Sequence, residues 1–269
     1  MCVTCGCSEG ATVTIETETA EHTHVLPNGQ LITHRHHHHH EHQHPEHSQG
    51  KTQTLTLEEN LLAKNDLWAT RNRLYFQEQG LLALNLVSSP GSGKTTLLTR
   101  TLTDLRGQIP FCVVEGDQAT SHDAQRIRET GCAVVQVNTG TGCHLEAAMI
   151  HHSLETLQPP RGAVVMIENV GNLVCPALFD LGEKAKVAIL SVTEGEDKPL
   201  KYPHMFRASQ VMILNKMDLL PYVNFDRDRC VEYARQVNPD LQIFEVSATT
   251  GEGLSTWYDW LKTQLANPG

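Results

Sequence analysis

The chain is poor in aromatic residues, which make up 5% of its 269 positions, and its first fifty residues contain none. No apolar run approaches the ~20 residues needed to cross a bilayer, which excludes a helical membrane span. The opening residues MCVTCGCSEG lack the apolar core of a secretory signal, so the expected location is the cytoplasm. Basic residues are scattered and outnumbered, 21 Lys and Arg against 31 Asp and Glu, for a net charge of −10. Without a basic block to neutralise phosphates, nucleic acid is not an expected partner. Eight cysteines could suggest a disulfide scaffold, but three of them crowd into the first seven positions and the rest are scattered. In a reducing compartment that pattern reads as metal binding or free thiols.

Histidine is what the chain has in excess. There are 16, and 11 of them lie between His22 and His47. Residues 1–50 carry one Arg and six Glu, a net charge of −5, with Pro27, Asn28, Gly29 and Pro45 among them. Such a segment cannot bury enough apolar surface to offset its ordering entropy. It is read as a disordered Cys/His-rich metal-binding tail, and residues 51–269 as one folded domain. Many neutral imidazoles in one tract suit a weak multi-site buffer for Ni²⁺ or Zn²⁺. The competing reading is a solvated linker.

Order is expected from Thr56, which has capping-box spacing to Glu59. Leu57, Leu61, Leu62, Trp68 and Leu74 fit a helix ended by Gly80. Beyond it, apolar runs at 81–87, 111–115, 133–137, 163–168, 187–192, 211–215 and 242–246 read as strands. Helices are predicted at 94–105, 121–129, 145–157, 227–236 and 254–265. Apolar strands separated by helices predict an α/β fold, a mostly parallel sheet covered on both faces.

The first strand runs into Ser88-Ser89-Pro90-Gly91-Ser92-Gly93-Lys94-Thr95-Thr96. Gly91 and Gly93 let the backbone fold around phosphate oxygens, and the helix that follows offers unpaired N–H groups and a favourable dipole. Lys94 would reach the β- and γ-phosphates, and the Thr95 hydroxyl would ligate Mg²⁺. Ser88 stands where the usual P-loop pattern has Gly. Downstream, Asn215-Lys216-Met217-Asp218 ends an apolar strand. Asp218 can accept both N–H donors of a guanine edge, a pair that adenine lacks. Asn215 would tie this loop to the phosphate loop, and the stem of Lys216 can cover the base. Ser247-Ala248-Thr249 is placed to offer a backbone N–H to guanine O6. In Glu168-Asn169-Val170-Gly171-Asn172, the Glu168 carboxylate can hold Mg²⁺ through water, and the Gly171 N–H can sense the γ-phosphate. Asp117, after the second strand, orients water or metal, or else caps a helix.

These motifs, in this order, resemble the P-loop GTPases that mature nickel enzymes, and most closely the HypB family of hydrogenase nickel-incorporation GTPases. The resemblance covers most of residues 55–269, and Cys2-x-x-Cys5-Gly-Cys7 adds a second match. It implies a P-loop NTPase fold that hydrolyses GTP, dimerises with nucleotide and helps load Ni²⁺ into [NiFe]-hydrogenase. It implies as partners a small zinc-containing nickel chaperone and, indirectly, the hydrogenase large subunit. No arginine finger is evident, so slow intrinsic hydrolysis is expected, with Lys94, Asp117 and Glu168 as the catalytic set. Two other readings stand beside it: a nickel store whose tail is the function, and nickel delivery to urease.

Two metal sites follow from the same likeness. Cys2, Cys5 and Cys7 match the family, and with the α-amine left by removal of Met1 they would make an S₃N set suited to Ni²⁺. Cys143, His144 and Cys175 match the family's metal site inside the GTPase domain. By residue type alone the two cysteines would more often be small buried hydrophobes, and His144 a surface residue at a helix start. Cys112, Cys132 and Cys230 are read as structural.

Overall fold

The computed structural model describes residues 22–25, 31–34, 49–117 and 122–266, with the backbone alone up to residue 59. Cys2, Cys5, Cys7 and the run at 36–40 lie outside the described residues. Within the tail, β1 (His22–Val25) and β2 (Leu31–His34) form an antiparallel ladder with His22 opposite His34, where no element was expected. The first helix, α1 (Gln49–Gln79), begins before Thr56 and so crosses the expected boundary at residue 51.

The domain proper alternates strand and helix. It runs through β3 (Leu82–Ser88), α2 (Lys94–Asp104), β4 (Phe111–Asp117), α3 (His122–Glu129), β5 (Ala133–Asn138), α4 (Ala147–Leu157), β6 (Val164–Glu168) and β7 (Ala185–Ser191). Short helices α5 (Lys198–Lys201) and α6 (Pro203–Ala208) precede β8 (Val211–Asn215), α7 (Arg227–Val237), β9 (Gln242–Glu245) and α8 (Leu254–Ala266). All seven predicted strands and all five predicted helices are present, displaced by at most two residues at an end. The sequence reading missed α5 and α6, which are too short for an apolar period.

The seven strands pair in the order β5-β4-β6-β3-β7-β8-β9, every pair parallel. After β3 the chain crosses to one side of the sheet, and after β6 it crosses to the other. β3 and β6 therefore flank a topological switch point, where the crevice beyond the carboxyl ends of the strands is open to a ligand. Every phosphate and base motif lies at that edge.

Two-residue periodicity divides the core. Leu82, Leu84 and Leu86 pack with Leu97, Leu98 and Leu102 of α2 and Trp257 and Leu261 of α8. Ala83 faces the other way, with Ala69 and Phe76 of α1 and Ile150 and Leu154 of α4. A third cluster joins Val87, Leu190 and Leu214 to Phe206 of α6 and Cys230 of α7. The buried face of α1 is Asn65, Ala69, Asn72 and Phe76, whereas Leu61 and Leu74, which helped to reveal the helix, are exposed. Backbone groups bond both side-chain atoms of Asn65 and the amide nitrogen of Asn72, while Asn72 Oδ1 is buried without a hydrogen-bond partner among the described residues. Asn65 bonds Asp180 O and Ala147 N, and Asn72 Nδ2 bonds Ala147 O and Leu181 O.

Trp257 is 1% exposed, and its indole N–H donates to Thr101 Oγ1. Trp257→Ala should lose about 3–5 kcal/mol of stability, read by chemical denaturation.

Candidate functional site

The phosphate loop owes its shape to two glycines in the left-handed region, Gly91 at φ 79° and Gly93 at φ 91°. Gly93 is also sterically obligatory, since a Cβ there would lie 2.6 Å from Asn215 Nδ2. That amide donates to Ser92 O at 3.0 Å, and Asn215 Oδ1 accepts from Ala248 N at 3.1 Å. One buried side chain thus ties the phosphate loop, the end of β8 and the Ser247–Ala248 loop. Lys216 reaches Gly91 O at 2.7 Å, laying its stem along the cavity. Within Ser247-Ala248-Thr249, expected to offer a backbone N–H to a base, the Ala248 N–H is engaged by Asn215. The Ser247 N–H bonds Glu252 O, and its hydroxyl accepts from Thr250 N.

The cavity at this edge encloses about 570 Å³ and is lined by residues 88–96 together with Glu115, Asp117, Asp123, Arg126, Gly171 and Lys216. Its floor is acidic. Glu168 Oε1 accepts from Lys94 Nζ at 2.6 Å and from Thr95 Oγ1 at 2.5 Å. The other oxygen, Oε2, is buried without a hydrogen-bond partner. Register places Glu115 opposite Glu168 on the neighbouring strand. Burial, with Glu168 and Asp117 nearby, pushes the Glu115 carboxyl up to about 8. The donor set suits a divalent cation: a threonine hydroxyl, a buried carboxylate oxygen lacking a partner and a second carboxylate beside it. Thr95 and Glu168 would hold Mg²⁺ here.

At the other end of the crevice, Asp218 Oδ1 is buried without a hydrogen-bond partner among the described residues. Leaving a buried carboxylate oxygen unpaired is costly, so this atom is poised for a donor from a ligand. Gly171 packs against Pro90, where an added Cβ would meet the ring at 3.2 Å.

A second cluster lies just beyond. Cys143, His144 and Cys175 bring their ligand atoms within 4.8 Å of one another. The two sulfurs are 3.0 Å apart, and Cys143 Sγ is 3.7 Å from His144 Nδ1. Adjacent residues inside a helix point apart, but α4 begins at Ala147, so Cys143 and His144 precede it and can converge. His144 is 8% exposed and packs tilted against Phe179, with ring centroids 3.9 Å apart. Burial lowers its basicity, which keeps the imidazole neutral as a ligand must be. Lys186 holds the loop that carries Cys175, donating to Pro176 O and Phe179 O at 3.0 Å each.

Geometry therefore assembles Lys94, Thr95, Asp117, Gly171 and Lys216 around one cavity, with Glu168 bonded to Lys94 and Thr95 and Asn215 bonded to the phosphate loop. It adds residues the sequence did not single out. Arg126 of α3 lines the cavity and donates to Thr96 Oγ1 at 3.1 Å, 30 residues away in the chain. Glu115 and Asp123 join it. None stands in a recognisable motif; the only signal was the carboxylate Glu115 beside Gly116-Asp117. Cys112 and Cys230 are buried as expected, and burial pushes Cys230 and the half-buried Cys132 up to about 12.

A family model described as the CobW/HypB/UreG nucleotide-binding domain matches residues 82–245. The hydrogenase maturation factor HypB of Azotobacter vinelandii is 58% identical over 214 residues, covering 80% of this chain and 71% of its own. Its namesake in Escherichia coli (strain K12) is 60% identical over 210 residues, covering 78% and 72%. The crystal structure of HypB from Helicobacter pylori in complex with nickel superposes with a TM-score of 0.72 at 38% identity, over 76% of this chain and 96% of that one.

Two measurements probe this geometry. Because its pKa is raised on folding, Glu115 stabilises the nucleotide-free protein below the ordinary carboxylate range, and that stability is lost as pH rises toward about 8. Denaturation across pH 5–8 should show this decline in the wild type and a flatter profile in Glu115→Gln. Asp218→Asn replaces an acceptor with a donor. Competition binding should show preference moving from guanine to xanthine nucleotides, whose C2 carbonyl accepts such a donor, by at least ~10-fold.

Proposed function

The chain belongs to the CobW/HypB/UreG nucleotide-binding family, and we propose that it is a GTP-hydrolysing nickel chaperone that assists insertion of Ni²⁺ into [NiFe]-hydrogenase. The observation that carries this reading is the sharing of one loop by two sites. Glu168 at one end of it grips Lys94 and Thr95, and Cys175 at the other belongs to the Cys143–His144–Cys175 cluster. The relatives named hydrogenase maturation factors, and the nickel complex among the solved structures, support the client and the metal.

In this reading the unpaired Asp218 oxygen selects guanine, with Asn215 holding its loop against the phosphate loop. Lys94 leaves Glu168 to meet the β- and γ-phosphates. Mg²⁺, when bound at Thr95 and Glu168, neutralises charge on the phosphate oxygens. Asp117 orients water or metal at the end of β4. Hydrolysis is slow in this reading, because the sequence holds no evident arginine finger. Loss of the γ-phosphate releases Gly171, and the loop passes that movement to Cys175.

Three ligands per chain leave a four-ligand set incomplete, which favours a site shared between two copies and a GTP-dependent homodimer. Cys2, Cys5 and Cys7 would take up Ni²⁺ selectively, while the histidine tract buffers Ni²⁺ or Zn²⁺. A small zinc-containing nickel chaperone is the direct partner, the hydrogenase large subunit an indirect one, and the cytoplasm the setting.

Nickel titration of the metal-free protein, with GDP or a non-hydrolysable GTP analogue and with oligomeric state followed throughout, tests the whole scheme. Affinity of the internal site should differ between the two nucleotides, and dimer should accumulate with the analogue. Cys143→Ala should lose one metal equivalent while keeping hydrolysis. Equal affinity in both states would overturn the coupling.

A further inference from the structure

The chain segment from Gly171 to Cys175 can move only one of the three ligands. Cys143 lies on a different loop, after β5, and a shift confined to Cys175 would merely part the two sulfurs. A non-covalent tie between the loops exists. Asn172 Nδ2 donates to Cys143 O at 3.2 Å across 29 residues of sequence, while its Oδ1 accepts from Val174 N at 2.8 Å.

The neighbours of this tie are fixed. Asn169 is 1% exposed, and its Oδ1 accepts from both Leu145 N and Val170 N. Its amide donates to Asn85 Oδ1 in the middle of β3, and Asn85 donates in turn to Glu183. Leu145, two residues after Cys143, is therefore pinned to the sheet. On the other side, Gly142 N bonds Thr139 O and Thr139 Oγ1 bonds Gly142 O, closing a tight turn. Cys143 hangs between these two anchors, with its carbonyl gripped by the loop that touches the phosphate loop through Gly171 and Pro90.

We propose that Asn172 is the positioning residue that couples the nucleotide loop to the metal cluster: its bond to the Cys143 carbonyl makes Cys143 turn about its Leu145 anchor whenever the loop moves, so that both sulfurs respond to nucleotide. Asn169 is the fixed pivot and Asn172 the moving arm. This rests on the nucleotide-gated nickel reading above.

The test is Ni²⁺ affinity of the full-length protein with GDP and with a non-hydrolysable GTP analogue, the internal site being the component lost in Cys143→Ala. Asn172→Ala removes both bonds. Asn172→Asp keeps the acceptor for Val174 N but removes the donor to Cys143 O. In both variants the ratio of the two affinities should fall toward one by roughly fivefold, the worth of one neutral hydrogen bond. Equal weakening in both nucleotide states, with the ratio kept, would show a merely structural role and overturn the proposal. So would a ratio retained in Asn172→Asp alone, which would exonerate the bond. A wild-type ratio of one would refute the gating reading itself and this device with it. A wild-type ratio that survives in both variants would refute the device while leaving gating intact.

Discussion

The contact on which the rest of the molecule depends is the buried ion pair between Lys94 and Glu168. Their nitrogen and oxygen are 2.6 Å apart, with side-chain exposures of 12% and 1%. Taking both charges out of water costs about as much as their attraction returns, so such a pair is poor evidence of stability for its own sake. Its value lies in where it sits. Lys94 opens α2 and Glu168 closes β6, so the pair spans the switch point of the sheet. Thr95 shares the same carboxylate oxygen. Glu168 is thereby tied to the phosphate loop, and it begins the loop that ends at Cys175.

A second constraint follows from parallel architecture. All seven strands of the main sheet point the same way, so their carboxyl ends meet at one edge, and residues far apart in sequence become neighbours there. Several asparagines buried near that edge hold more than one hydrogen-bond partner each. Asn215 bonds two loops, Asn169 bonds three partners, and Asn65 and Asn72 of α1 bond the backbone on both sides of the metal loop. Such networks specify geometry, because a broken link leaves an unpaired buried group. Here they connect the phosphate loop, the loop after β6 and the Cys143–His144–Cys175 cluster.

Histidine abundance and histidine chemistry prove to be separate matters. Eleven of the sixteen lie in one acidic tract. Among the described residues, His144 is the histidine that joins a ligand cluster, and it does so because Phe179 and burial hold it neutral and oriented.

The elements and motifs were legible in the sequence because each is written in adjacent residues. Strands are apolar runs, Gly91 and Gly93 define a turn, and Asn215 to Asp218 follow one strand end. Backbone geometry over a few residues is a local matter, so the elements from β3 onward that the sequence predicts lie within two residues of their observed ends, whereas α1 starts seven residues before Thr56. Cys143, His144 and Cys175 were legible only as a likeness, since 32 residues separate the sulfurs that meet. Arg126 and the paired asparagines of α1 were not legible at all, and Glu115 only as a carboxylate beside Gly116-Asp117. An isolated Glu, Arg or Asn carries no period, and its role exists only once another element is packed against it. The apolar pattern of α1 even pointed away from its buried face, because two of the four buried residues there are amides paid for by distant carbonyls. The sequence by itself determined which segments form the sheet and which loop receives phosphate. The tertiary structure decided which groups face one another across the edge, because only packing can bring separated side chains within the 3 Å or so over which hydrogen bonds and metal ligands act.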